Sequence, residues 1–301
     1  MSLLTAPVNV CIYRDGFRGL TMKFFERIDA LYLSGVKSIN LDLSNVQNVS
    51  AAASVIFFAK VNRIQLRSKN PNFFKFKWPN RKKNLDGYNS VIRTGLSKAL
   101  LAGDLGLLDE LDEYYQSSVE PYKQVINTVA SLYEQAPLTD EQLDLLISAV
   151  SEATLNVSHH AYEEKAYETQ VFEMGGKRWW QCSWYDAEDN VLVFIIYDVG
   201  VGLGRSFQRG DVAFSQMNEL NCVLTALTVG QSRFRNVGRG NGSEDIKRPI
   251  GSGCADSESL LILTGNAKYS YTSVKQIVEC EPVNEFFQGT LIEWSLVPRS
   301  A

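Results

Sequence analysis

The chain has only two histidines, adjacent at His159 and His160, and five scattered cysteines (Cys11, Cys182, Cys222, Cys254 and Cys280) that never fall into a CxxC spacing. That scarcity argues against both a zinc site and a disulfide framework, and fits a reducing compartment. Long apolar runs are missing too. No stretch approaches the roughly 18 to 20 residues of a membrane span, and the opening MSLLTAPVNVCIYRDG lacks a basic start followed by an apolar core. A soluble, cytoplasmic protein with no membrane partner is expected. With a net charge of −4 the chain has no overall basic field of the kind that marks dedicated binding to nucleic acid or an anionic membrane. There is also no internal repeat and no low-complexity tract.

What is present suffices for packed cores: 301 residues, 45% of them hydrophobic, make one large or two ordinary domains. Residues 7 to 14 (PVNVCIYR) read as a strand, Leu20 to Val36 as an amphipathic helix, and Lys37 to Leu43 as a second strand. The Ser/Asn-rich SNVQNVS turn then leads into an Ala-rich helix from about Ala51 to Leu66, for which Ser50 is a natural N-cap. A third strand at 73 to 78 (FFKFKW) and a helix near Tyr88 to Leu101 complete a βαβα unit of about 100 residues. The acidic, leucine-containing stretch from Asp104 to Tyr122 reads as a helical connector. Beyond it the pattern predicts a long helix from Thr139, strands around 179 to 186 and 191 to 197, a Gly-rich region from 198 to 253, and closing strands near 260 to 264, 268 to 272 and 289 to 296.

Three segments of the second half carry candidate chemistry. The helix from Thr139 opens with a capping box, T-D-E-Q, and places Glu152 and Asn156 four residues apart on a face other than its apolar stripe. A carboxylate beside a carboxamide suits a site in which the first orients or deprotonates a hydroxyl and the second ligates a hard cation such as Mg²⁺, though such a pair also occurs on ordinary solvated helix faces. Next, Y-D-V-G-V-G-L-G at 197 to 204 follows the apolar strand VLVFII directly. Asp198 can accept a hydrogen bond from an exocyclic amine, while Gly200 and Gly202 permit close approach of a ligand. The spacing is not the G-x-G-x-x-G of a dinucleotide fold, and the acid precedes the glycines. Finally, G-R-G-N-G at 238 to 242 offers Gly238, Gly240 and Gly242 with free backbone N–H groups, Arg239 as a charge, and Asn241 between them. No G-K-[ST] follows, so it is not a Walker A loop.

The order E-x-x-x-N, D-x-G-x-G and G-x-G-x-G resembles the N, G1 and G2 boxes of the GHKL superfamily, the ATP-binding fold of histidine kinases, anti-sigma-factor serine kinases and type II topoisomerases. S-E-A-T-L-N-V-S-H-H-A-Y at 151 to 162 is particularly similar to the anti-sigma-factor kinase branch, and G-T-L-I-E-W-S-L at 289 to 296 resembles the closing Gly-Thr strand. The resemblance implies ATP and Mg²⁺ as ligands. It casts Glu152 as general base or water-positioning residue and Asn156 as Mg²⁺ ligand, and gives the adenine amino group to Asp198, whose water network would include Thr290. Gly200 and Gly202 would shape the adenine pocket, and Gly238, Gly240 and Gly242, with Asn241, the phosphate loop. Arg239 is assigned to phosphate by its charge, and residues 205 to 237 would be the lid. No histidine lies between 104 and 140 to act as a phosphoacceptor, so a histidine kinase is disfavoured. Packing or capping is the simpler role for His159 and His160.

The first half resembles the STAS domains of anti-sigma-factor antagonists, although Ala51 stands where their acceptor serine would be. The fold class expected is therefore α/β (α+β): a STAS-like βαβα module at 1–103, a helical connector at 104–130, and a GHKL α/β sandwich at 131–301. The implied function is an ATP-dependent regulator acting on a protein partner, either a serine/threonine kinase or slow ATPase or a nucleotide-gated switch. A basic, aromatic segment at 63 to 83 holds eight Lys or Arg and no acid. It fits a strand with lysines on its wet face, and leaves nucleic acid as an alternative partner and a DNA-associated ATPase as a third reading. A homodimer stays open.

Overall fold

The computed structural model describes residues 2–111, 114–210, 212–227, 242–247, 249–250, 255–274 and 277–299, which build a mixed α/β protein with parallel and antiparallel sheets. Two compact units divide the chain. The first takes Met1–Ser118, Thr169–Gly176 and Trp180–Cys182; the second takes Val119–Glu168, Lys177–Trp179 and Ser183–Ala301.

The first unit begins with β1 (Ser2–Thr5), β2 (Asn9–Val10), α1 (Asp15–Leu33), β3 (Ile39–Asp42), β4 (Asn48–Val49), α2 (Ala51–Ser68) and β5 (Phe74–Lys77). Strands β1, β3 and β5 form a parallel sheet with β3 in the middle, and β2 pairs with β4. Of the strand expected at 7 to 14 only β2 is extended; β1 precedes that stretch, and Pro7, which has no N–H to give to a ladder, stands between the two. Helix α1 starts earlier than expected and stops at Leu33, because Gly35 turns the chain at φ +79°.

Nearly every residue of α2 is buried, its polar ones included, and each of these finds a partner. Lys60 and Arg63 donate to Asp29 of α1 at 2.5 and 2.7 Å. Asn62 donates to the Ala102 carbonyl at 2.7 Å and accepts from the Trp180 indole at 2.8 Å. The apolar side is a ring cluster of Phe24, Phe25 and Phe57 with centroids 5.6 to 5.8 Å apart. Ser50 occupies the N-cap position of α2, but its hydroxyl makes no capping bond and is buried without a partner; the Tyr13 hydroxyl accepts the Ala52 N–H instead, at 3.1 Å. In β5 Phe74 is buried, Phe76 is half-buried and stacked at 4.6 Å on the half-buried Trp78 just beyond the strand, and Lys75 and Lys77 face water. That is the alternation FKFKW suggests.

The helix expected over 88 to 101 is broken. It becomes α3 (Leu85–Tyr88), a π-helical turn at Asn89–Arg93, and α4 (Leu96–Leu101), because Gly95 sits at φ +79° between them. The stretch expected to connect helically holds α5 (Leu105–Asp109), capped by the Asp104 side chain, and then an extended strand, β6 (Tyr115–Ser118). Gln116 of β6 accepts from Gln181 at 3.0 Å, an interaction an acidic-helix pattern cannot foresee.

The second unit opens with α6 (Pro121–Gln135), α7 (Asp140–Asn156) and a π-helical turn, Val157–Ala161; α8 (Glu168–Glu173) crosses the division. Strands β7 (Trp179–Asp186) and β8 (Val191–Asp198) are joined by a turn in which Asp186 accepts two backbone N–H groups and Asn190 adopts φ +52°. Then come α9 (Leu203–Gly210), α10 (Glu219–Ala226), α11 (Gly242–Lys247), β9 (Ala255–Thr272) and β10 (Ile277–Pro298). The strand order is β7-β8-β10-β9, with β10 antiparallel to both neighbours. Two of the three expected closing strands are halves of β9, since Gly265 at φ +54° bends that strand without ending it.

Candidate functional site

Helix α7 starts as expected. Thr139 accepts the Gln142 N–H at 3.3 Å while the Gln142 side chain accepts the Thr139 N–H at 2.8 Å. Leu146, Val150, Ala153 and Val157 are buried, which turns Glu152 and Asn156 to another, half-buried face. Burial, then the nearby Asp245 carboxylate, pushes the Glu152 pKa up; the Asn156 hydrogen bond pulls it down. Asp245 belongs to α11, which packs on α7 and begins at Gly242. The rest of the Gly-rich candidate loop, Gly238, Arg239, Gly240 and Asn241, lies outside the described residues.

Asp198 ends β8 and is 5% exposed. Its carboxylate accepts the Gly200 N–H at 2.8 Å and the backbone of Thr290, yet burial prevails and raises its pKa to about 7. A buried acid of this kind holds an acceptor ready for an incoming donor and is half protonated near neutrality.

The glycines around it have geometric reasons. A Cβ on Gly200 would overlap the backbone carbonyl of Ala161, and one on Gly289 would overlap that of Asp198. Gly202 has φ +84°, and its Cβ would lie 2.7 Å from Thr264 Oγ1. That hydroxyl donates to the Gly289 carbonyl and accepts from Leu203 N–H, both at 2.9 Å. Thr264 also pairs with Thr290 in the β9–β10 register. On the other side, Val201 N–H donates to Ala161 at 2.8 Å and Tyr167 hydroxyl to the Gly200 carbonyl at 3.1 Å. Tyr162 hydroxyl accepts from Val199 N–H at 3.2 Å and donates to the Arg178 carbonyl at 2.6 Å.

The structure therefore gathers Asp198, Gly200, Gly202 and Thr290 into one cluster, seated on the turn that continues the Glu152/Asn156 helix. Sequence reasoning missed Ala161, Tyr162, Tyr167, Thr264 and Gly289 as parts of it. Only strand register reveals Thr264. Gly289, by contrast, stands in the Gly-Thr pair already singled out.

Of the segment expected as a lid, residues 211 and 228 to 237 lie outside the described residues. Phe207 of α9 packs with Cys222 and Ala226 of α10, and Leu203, Phe214 and Met217 close around them. Glu164 pairs with Arg205 at 3.4 Å and Arg209 at 2.5 Å, tying α9 to the chain that follows α7. His159 is exposed, and His160 lies against it and 3.6 Å from Glu163.

Among the described residues, no three or more His, Cys, Asp or Glu side chains gather to hold a metal. A hard cation here would need Asn156 together with oxygens from a ligand and water, the usual mode for Mg²⁺ on phosphates. No protein-family model matches the chain, and no curated protein is found to be similar to it.

Proposed function

We propose that the second unit binds Mg²⁺·ATP in the manner of a GHKL domain and that the protein is a regulatory serine/threonine kinase or slow ATPase acting on a protein partner in the cytoplasm. One observation carries the reading. The buried Asp198 carboxylate, the Cβ-intolerant Gly200 and Gly289, and the end of the helix bearing Glu152 and Asn156 meet through direct backbone contacts, although they span residues 152 to 289. The STAS-like order of elements in the first unit, with its parallel sheet, supports the partner-binding half of the proposal.

In this reading the Asp198 carboxylate accepts the adenine amino group, and the chain at Gly200 and Gly202 lies flat against the base, with Thr290 helping to fix the acid. Gly238, Gly240 and Gly242 give backbone N–H groups to the phosphates, with Arg239 and Asn241 beside them. Asn156 would hold Mg²⁺, which would supply charge neutralisation for phosphoryl transfer. Glu152, its proton affinity raised by burial and by Asp245, takes the proton from the attacking hydroxyl or water.

Two measurements test this. Calorimetric titration with Mg²⁺·ATP should show saturable binding to the wild type and little to Asp198→Asn; equal binding by both, or none by the wild type, overturns the nucleotide site. With binding in place, Glu152→Gln should slow γ-phosphate release or transfer by at least about 100-fold without weakening affinity. Tight binding with no turnover by the wild type leaves the nucleotide site standing and makes the protein a gated switch.

A further inference from the structure

Helix α6 has two apolar faces and uses only one. Val125, Thr128, Val129 and Leu132 are buried, and this face meets α7. At about 100° per residue, Tyr122, Ile126, Ala130 and Tyr133 form a second stripe about 80° wide on another side. All four are exposed, the three large ones at 77, 70 and 55%. Large apolar side chains aligned in this way mark an interaction surface, whereas scattered ones do not.

The flanks of the stripe say what fits it. Lys123 and Glu134, both exposed, border it on the same side and at opposite ends of the helix. Two copies of α6 packed antiparallel about a two-fold axis keep each flank on its own side. With the axis near residues 128 and 129, Lys123 of one copy then stands level with Glu134 of the other, twice over. The same register sets Ile126 against the small Ala130 and Tyr122 beside Tyr133. A parallel pair would put each charge across from its own kind of end and gain nothing from it. We propose that the exposed α6 stripe is an isologous, antiparallel homodimer interface, centred on Ile126 and Ala130 and bordered by Lys123–Glu134 pairs. The proposal goes beyond the nucleotide reading and does not depend on it.

A single stripe on a 15-residue helix is about 22 Å long and buries less than the roughly 1,600 Å² of a standard interface, so the association is weak and concentration-dependent. Analytical ultracentrifugation of the full chain from about 1 to about 300 μM covers the affinities such an interface allows. The mass should climb from 33.7 kDa towards twice that value. Ile126→Asp should weaken dimerisation at least about ten-fold with an unchanged thermal transition, because the residue is exposed in the monomer. Lys123→Glu should weaken it several-fold, and Lys123→Glu combined with Glu134→Lys should restore it. A wild type that stays monomeric throughout overturns the proposal, as does an Ile126→Asp variant that dimerises like the wild type. A double variant no tighter than Lys123→Glu overturns the antiparallel register.

Discussion

Gly200 lies so close to Ala161 that an added Cβ would fall 2.0 Å from the Ala161 carbonyl oxygen, and that same carbonyl accepts the next N–H, from Val201, at 2.8 Å. Neither backbone can retreat without losing that hydrogen bond. Gly200→Ala should therefore cost about 1 to 3 kcal/mol of stability and weaken Mg²⁺·ATP binding with it. Gly16→Ala, in the first turn of α1 with nothing within 4 Å of the added methyl, should stay within about 0.5 kcal/mol of the wild type. Urea denaturation of both variants separates a contact effect from a general intolerance of substitution.

Asp198 couples the site to pH. Burial raises its folded pKa from 3.8 to about 7, so between those values the native state holds a proton that the unfolded state has released. Stability contributed by the protonated acid is thus present below pH 4 and lost as pH rises towards 7, by an amount on the order of 4 kcal/mol. Denaturation series at pH 5 and pH 8 should show Asp198→Asn flattening that fall and standing above the wild type at pH 8. Nucleotide affinity should run the opposite way in the wild type, because an amine donor favours the ionised carboxylate. Binding should tighten from pH 6 to pH 8.

Much of this arrangement was legible in the residues themselves. The capping box at Thr139 and Gln142, the hairpin from Trp179 to Asp198, and the placing of Asp198 at a strand end follow from local rules of capping, alternation and turn chemistry. The departures have physical causes of two kinds. Glycines at positive φ broke one expected helix, at Gly95, and merely bent one strand, at Gly265. Those outcomes depend on neighbours that local pattern does not name. The second kind is long-range pairing: Gln116 with Gln181, Asn62 with Trp180, and Thr264 with Gly289 are set by register, and no spacing along the chain announces them.

Thr264 shows what such a residue is worth. It is fully buried, and its hydroxyl serves two backbone groups at once, the carbonyl of Gly289 and the N–H of Leu203. Thr264→Val keeps the volume and removes both bonds, leaving two buried backbone groups unmet at a cost of about 1 to 3 kcal/mol. Thr264→Ser, which retains the hydroxyl, should recover most of the loss. The pair of melting curves distinguishes the hydrogen bonds from the packing, and a Thr264→Val protein as stable as the wild type would sink the bridging role.

The first unit offers a test independent of any ligand. Asp29 is the shared acceptor for Lys60 and Arg63, which are 8 and 7% exposed. Burial alone would raise the Asp29 pKa, but the two cations together bring it below its usual value; burial lowers that of Lys60 despite the carboxylate. Removing the acid leaves two buried positive charges facing each other, so Asp29→Ala should destabilise by about 3 to 5 kcal/mol. The pH dependence carries the opposite sign to that of Asp198. A depressed carboxyl contributes stability that is present above pH 4 and lost as pH falls through the folded value, so this triad fails in acid. Fluorescence melts report it directly, since the Trp180 indole is bonded to Asn62, two residues from Lys60 on the same helix. Asp29→Ala should unfold early at pH 7 and lose the acid-side slope that the wild type shows below pH 4.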